Sequence, residues 1–242
     1  QMCIRDRFDT TRAVTYQQDN DPLYNSSGQP AVADINQGSL SDCYLLASLA
    51  EIAQMEPAFF KSMITDNGNG TYGIRFIINQ KPVFVTVNSY LPYFSDTHQL
   101  AGNSASNIWA SLIEKAYVQL NEEPNFLEHT AGNQYNLIDY GWADPITQIT
   151  GRSVTSYDSS SYTASDWANL GQVFKNAILN GLEVDFASYG DTTINGMVAF
   201  HAKHMFSGLR YDSSTGQFII RNPWGAASGQ TWQTEFEASM SD

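Results

Sequence analysis

The sequence predicts an α+β molecule, helical in its N-terminal half and β-rich in its C-terminal half. Three observations carry this expectation. The run Tyr44-Leu45-Leu46-Ala47-Ser48-Leu49-Ala50 is apolar nearly all round and follows Asp42-Cys43, as in a buried central helix. A second helical pattern places Ile108/Trp109, Leu112/Ile113, Ala116/Tyr117 and Leu120 at four-residue intervals, an amphipathic stripe. From Leu182 onward short β-like runs dominate, two of them flanking the turn cluster Asp212-Ser213-Ser214-Thr215-Gly216.

Taken in order, residues 1–11 show no periodicity and no apolar signal-peptide core, and read as non-native or disordered. Residues 12–150 form the N-terminal half, beginning with a polar stretch to Ala33 that reads as mostly loop. The first helix is expected from about Asp42 to Met55, with Pro57 just beyond it. Asn67-Gly68-Asn69-Gly70 opens a hairpin whose first strand puts Tyr72, Ile74, Phe76 and Ile78 on one face. The character changes near Ile149-Thr150-Gly151, where the second half, 151–242, begins. A Ser/Tyr-rich loop from Tyr157 leads to Ser165-Asp166, the expected cap of a third helix. That helix carries Leu170, Val173, Phe174, Ala177 and Ile178 and ends at Asn180-Gly181. The last residues read as a strand entering a turn, as in one module of a longer protein.

Composition narrows the function. The chain has 242 residues, 42% of them hydrophobic, which is enough for a core. Its formal net charge of −13 argues against nucleic acid, which needs basic patches. No run of 18 or more apolar residues is present to span a membrane. Abundant Ser, Thr, Asn and Gln lean toward an extracellular or surface setting, and a cytosolic one fits nearly as well. Two cysteines, Cys3 and Cys43, are too few for a disulfide framework or a zinc finger.

Cys43 opens the first helix, where unpaired N–H groups and a partial positive charge favour a thiolate. Upstream, the carboxamide of Gln37 is placed to donate to an oxyanion. Read alone, such a cysteine is more often a small buried hydrophobe. The C-terminal hairpin changes that balance. If Tyr211 pairs with Gln217, Asn222 falls opposite position 206, within two residues of His204 on the neighbouring strand. A Cys, a His and an orienting Asn are the set that thiol nucleophiles use. His201 and His204 have a metal-like spacing, but on a β-like stretch they point to opposite faces, so shared ligation is disfavoured.

Five motifs in order then resemble the protease core of the calpain family. They are Gln37-Gly38-x-Leu40-x-Asp42-Cys43; the hairpin from Gly70 to Pro92; Ile108 to Tyr117; His204-x-Phe206-Ser207; and Arg221-Asn222-Pro223-Trp224-Gly225. The chain departs from the family at Ser41 (usually Gly), Tyr44 (usually Trp), Asn88-Ser89 (usually two aspartates) and Lys203 (usually Gly), and by a shortened segment after Gly225.

The resemblance implies a papain-like, two-lobed cysteine endopeptidase core with its active site between the lobes. It implies Cys43 as nucleophile, His204 as base, Asn222 as its orienter, Gln37 as oxyanion donor and Trp224 as a shield over the His–Asn hydrogen bond. Protein or peptide would be the substrate, and no organic cofactor is called for. The family's first-lobe calcium site would map to Asp34 and Glu114; the alternative is a plain loop Asp and a Glu beside Lys115. Competing readings are a catalytically silent binding module and a transglutaminase-like acyl transferase.

Overall fold

The computed structural model describes residues 13–120, 135–139, 141 and 144–240, so the expectation for residues 1–11 lies outside the described residues. Helices and strands are mixed around two hydrophobic clusters. The first helix, α1 (Cys43–Met55), starts at an Asp42 cap and is buried from Tyr44 to Ala53. It belongs to the first cluster through Leu45, Leu46 and Leu49, while Met55 at its far end packs against the second.

Around α1 the N-terminal half adds α2 (Ala58–Met63) and a three-stranded antiparallel sheet of β2 (Ile64–Asp66), β3 (Thr71–Ile78) and β4 (Lys81–Asn88). The β3–β4 turn is closed by Asn79 and Gln80, both at positive φ, the backbone that matches strand twist in a two-residue hairpin. Ile74 and Phe76 face the cluster as their alternation predicts. The polar stretch expected to be mostly loop instead contributes β1 (Val14–Gln18), paired with β5 (Tyr90–Phe94). Its polar side chains hide a strand whose partner lies far along the chain, which no local pattern announces.

The second helix, α3 (Trp109–Leu120), departs from the expected stripe, since every residue but Gln119 is buried. The sheet covers one side of it, and α1 and a 3-10 turn at Tyr135–Ile138 cover others. Its polar residues Ser111, Glu114 and Lys115 are therefore buried with hydrogen-bond partners.

After α4 (Pro145–Thr150), residues 151–163 carry no regular structure and lead to α5 (Ala164–Leu179). The true cap of α5 is Thr163, reciprocally bonded with Asp166, two residues before the expected one; a capping box puts its acid third inside the helix, not at its start. The second cluster sits on a four-stranded sheet ordered β11 (Glu235–Ala238), β10 (Gln217–Arg221), β9 (His204–Asp212), β6 (Asp185–Ser188). A small hairpin, β7 (Thr192–Ile194) with β8 (Met197–Phe200), precedes β9.

Two details of this half position the site. The β9–β10 pairing begins at Gln217 opposite Asp212, one residue off the expected register, and shifts at a bulge so that Arg221 faces Ser207. The extra residue, Leu209, thus restores the phase that brings position 222 beside 206. Meanwhile α1 lies along β9: Ser207 Oγ donates to the Ala47 carbonyl at 2.9 Å, and the Gly208 N–H to Glu51 Oε1 at 2.7 Å.

Candidate active site

Cys43 occupies the first helical position of α1, half-buried, with the Met205 backbone N–H facing its thiol. Met205 immediately follows His204 in β9, so helix and strand bring the thiol to the strand position next to the histidine. His204 is 7% exposed. Its Nε2 lies 2.9 Å from Asn222 Oδ1. A carbonyl oxygen only accepts, so Nε2 carries the hydrogen and Nδ1 is left with the basic lone pair. Asn222 is fully buried, and its Oδ1 also accepts from the Trp224 backbone N–H at 2.9 Å.

The Trp224 ring lies 4.6 Å from the His204 ring at 39°, and Trp232 abuts its edge at 5.3 Å. Trp232 Nε1–H donates to the Gly225 carbonyl, which pins this aromatic wall to the turn. Gly225 itself sits at φ 66° with a missing Cβ that would fall 2.2 Å from Asn36 Oδ1. No other residue type fits both constraints.

Charge at the site is governed by burial. Burial pushes the Cys43 thiol up to about 11, against the facing Met205 N–H and helped by the carboxylate charge of Asp42. Burial likewise pushes the His204 imidazolium down to about 4, against its bond to Asn222. Each shift disfavours a charged form, so at neutral pH the resting pair is a neutral thiol and a neutral imidazole.

The loop before Cys43 is anchored in three ways. The Gln37 N–H donates to the Pro223 carbonyl at 2.8 Å, and Arg221 Nη2 donates to the Ile35 carbonyl at 3.0 Å. The Ser41 N–H donates to Asp139 Oδ1 at 2.7 Å. The first two tie the Cys-bearing loop to the Asn-bearing one. Arg221 and Asp139 carry no independent sequence signal for this role, apart from the place of Arg221 beside Asn222. The Gln37 carboxamide faces inward at rest, with Nε2 donating to the Leu40 carbonyl at 2.6 Å and to Asp42 Oδ1 at 3.3 Å.

Asp34 and Glu114 are each engaged by protein donors. The Asp34 carboxylate accepts from the Ala31 N–H, Asn107 Nδ2 and Trp109 Nε1 at 2.6 to 2.9 Å. Glu114 accepts from the Asn103 N–H at 3.1 and 3.2 Å and is buried close to Asp42. Among the described residues, no group of three or more His, Cys, Asp or Glu side chains could hold a metal ion. A carboxylate saturated by protein donors and a carboxyl buried against another carboxyl do not fit a calcium ion, which wants several convergent oxygens.

No helix among the described residues is long and apolar enough to cross a membrane. The chain is 28% identical to human calpain-9 over 223 residues, which is 86% of this chain and 30% of that protein. It is 28% identical to a calpain of Caenorhabditis elegans over 79% of this chain and 27% of the relative. With a calpain-type cysteine protease of Zea mays it shares 27% identity over 82% of this chain and 9% of the relative. The chain thus spans less than a third of the length of these curated relatives. The calpain-family cysteine protease pattern matches residues 11–242, and with the helix-borne cysteine and the His204–Asn222 pair in place the chain belongs to that family.

Proposed function

We propose that the chain is a cysteine endopeptidase acting through Cys43, His204 and Asn222, with the two hydrophobic clusters as the two lobes of a papain-like core. The observation that carries this is the hydrogen bond from His204 Nε2–H to Asn222 Oδ1, which leaves Nδ1 as the base one residue from the strand position that faces Cys43. A protein or peptide substrate would lie between the lobes.

The neutral resting pair suits attack with concerted proton transfer. As Sγ bonds to the scissile carbonyl carbon, its proton passes to Nδ1, and the carbonyl electron pair becomes an oxyanion. The Cys43 backbone N–H and the Gln37 carboxamide would stabilise it. Collapse breaks the C–N bond, and the imidazolium returns its proton to the leaving amine, giving a thioester. A water molecule then adds, its proton taken by Nδ1, and the C–S bond breaks. The sulfur recovers the proton and the acid product leaves. Asn222 holds the ring through both transfers, and Trp224 limits water around that hydrogen bond.

Mass-spectrometric mapping after treatment with a peptidyl epoxide tests the proposal. Label on Cys43, with peptidase activity lost in Cys43→Ala and the melting temperature retained, is the expected result. An unlabelled Cys43 with no peptide cleavage would identify a silent binding module, and undiminished turnover in the variant would place the chemistry on another group.

A further inference from the structure

A cavity of about 550 Å³ opens beside the loop that carries Gln37, within the N-terminal half. Its lining includes Gly38 and Ser39 from that loop, Tyr93 from β5, Gln99 from the loop after it, and Asp21. Backbone contacts fix its shape. The Ser39 N–H donates to the Ala101 carbonyl at 2.8 Å, and the Phe94 N–H to the Gln99 carbonyl at 2.9 Å. A Cβ on Gly38 would fall 2.1 Å from the Gly102 carbonyl oxygen, so only glycine lets these two backbones touch. The Asp21 N–H donates to Asp19 Oδ1 and Tyr93 Oη to Asp19 Oδ2, both at 2.8 Å, which pins Asp21 beside the ring. The Asp21 carboxylate itself is exposed and has no hydrogen-bond or ion-pair partner among the described residues. No Lys, Arg or His lines the cavity.

The loops that meet here decide which part of a peptide would pass the cavity. The Gln37 N–H donates to the Pro223 carbonyl and Arg221 Nη2 to the Ile35 carbonyl, so the loop abuts the turn that carries Asn222 and Trp224. In the proposed reaction His204, held by Asn222, hands its proton to the leaving amine. The segment departing with that amine therefore runs along this junction, past Gly38 and Ser39.

We propose that the cavity is a subsite for a lysine or arginine side chain on the leaving, C-terminal segment of the peptide, with Asp21 selecting it. The inference rests on the reading of Cys43 as the nucleophile. The aliphatic stem would lie along Tyr93 while the cation reaches the Asp21 carboxylate, the divided environment that long cationic side chains favour. The Ser39 hydroxyl and the Gln99 carboxamide oxygen offer further acceptors. An acidic side chain would instead meet an unpaired carboxylate, in a chain of net charge −13.

The test measures kcat/KM on quenched fluorescent peptides carrying Lys, Gln or Glu at each of the first three positions after the scissile bond. Wild type is expected to favour Lys over Gln by about fivefold at one position, the worth of one partly exposed ion pair. Glu should be poorer still. Side chains of an extended peptide alternate in direction, so the adjacent positions should lack the preference. Salt at about 1 M should shrink it. Asp21→Asn should bring the Lys-to-Gln ratio to about one, and Asp21→Lys should place the Glu peptide ahead of the Lys peptide.

A Lys preference that survives Asp21→Asn would overturn the inference, and its equal size at all three positions would trace it to steering by the whole acidic chain. Cleavage with no preference for Lys at any of the three would overturn it too. If Asp21→Lys fails to fold, the nearly isosteric Asp21→Asn decides alone. A wild-type chain that cleaves no peptide and takes no label at Cys43 would instead overturn the peptidase reading, and this one with it.

Discussion

At the scale of single residues, the site combines groups that burial keeps uncharged. Because Cys43 titrates at about 11 and His204 at about 4, iodoacetamide labelling of the free protein should be slow at pH 7. It should climb steadily through pH 9 and 10. A rate that already levels off near pH 5 would reveal a preformed thiolate–imidazolium pair. Lys203, immediately before the histidine, sits at φ 57°, with its N–H donating to the Ser188 carbonyl at 2.7 Å. A Cβ in that backbone region costs about 1–2 kcal/mol. Lys203→Gly should therefore raise stability by about 1 kcal/mol in urea titration, less whatever freedom glycine adds to the unfolded chain. No gain would show that the lysine side chain offsets its own strain.

Among elements, the helix and hairpin that carry the chemistry were legible because their signals are local. An apolar run capped by Asp42 and a turn cluster between Tyr211 and Gln217 need no distant partner to be recognised. What stayed hidden depends on tertiary context. Polar β1 pairs with β5, and α3 is buried even on its charged side because the chain provides Asn88 and Tyr90 acceptors for Lys115 and the Asn103 N–H for Glu114. The Leu209 bulge was equally invisible, yet it decides which face Asn222 occupies. Removing one residue from β9 flips side chains across the sheet from that point on. Deletion of Leu209 should lower peptidase turnover at least a hundredfold while far-UV circular dichroism stays near wild type. Retained activity would mean that the turn absorbs the lost residue.

For the whole molecule, α1 joins the two clusters through acids at both ends. Near its C-terminal half, Glu51 and Asp185 lie buried close together, with Glu51 Oε2 and Asp185 Oδ1 sealed from solvent and Asp144 and Glu183 nearby. Burial, chiefly, raises Asp42 and Asp185 from 3.8 to about 7, so the folded chain holds these protons more tightly than the unfolded one. Their stabilising contribution is complete below about pH 4 and is lost as pH rises through about 7. At about 1.4 kcal/mol per pKa unit, a loss on the order of 1–4 kcal/mol is expected. The melting temperature should fall between pH 5 and pH 8, and Asp185→Asn should flatten that fall. A protein equally stable at both values would show that the pairs relax when they ionise.

The unstructured stretch at 151–163 has a further consequence. In the proposed mechanism it is the covalent link between a half that would supply the nucleophile with its oxyanion donor and a half that would supply the base with its orienting amide. Severed there, the chain becomes two pieces, neither of which would hold the proposed catalytic set alone. Turnover would return only where both pieces met, with Gln37 again donating to Pro223 and Arg221 to Ile35. The two pieces would then act as a coincidence detector, and peptide cleavage would report their encounter.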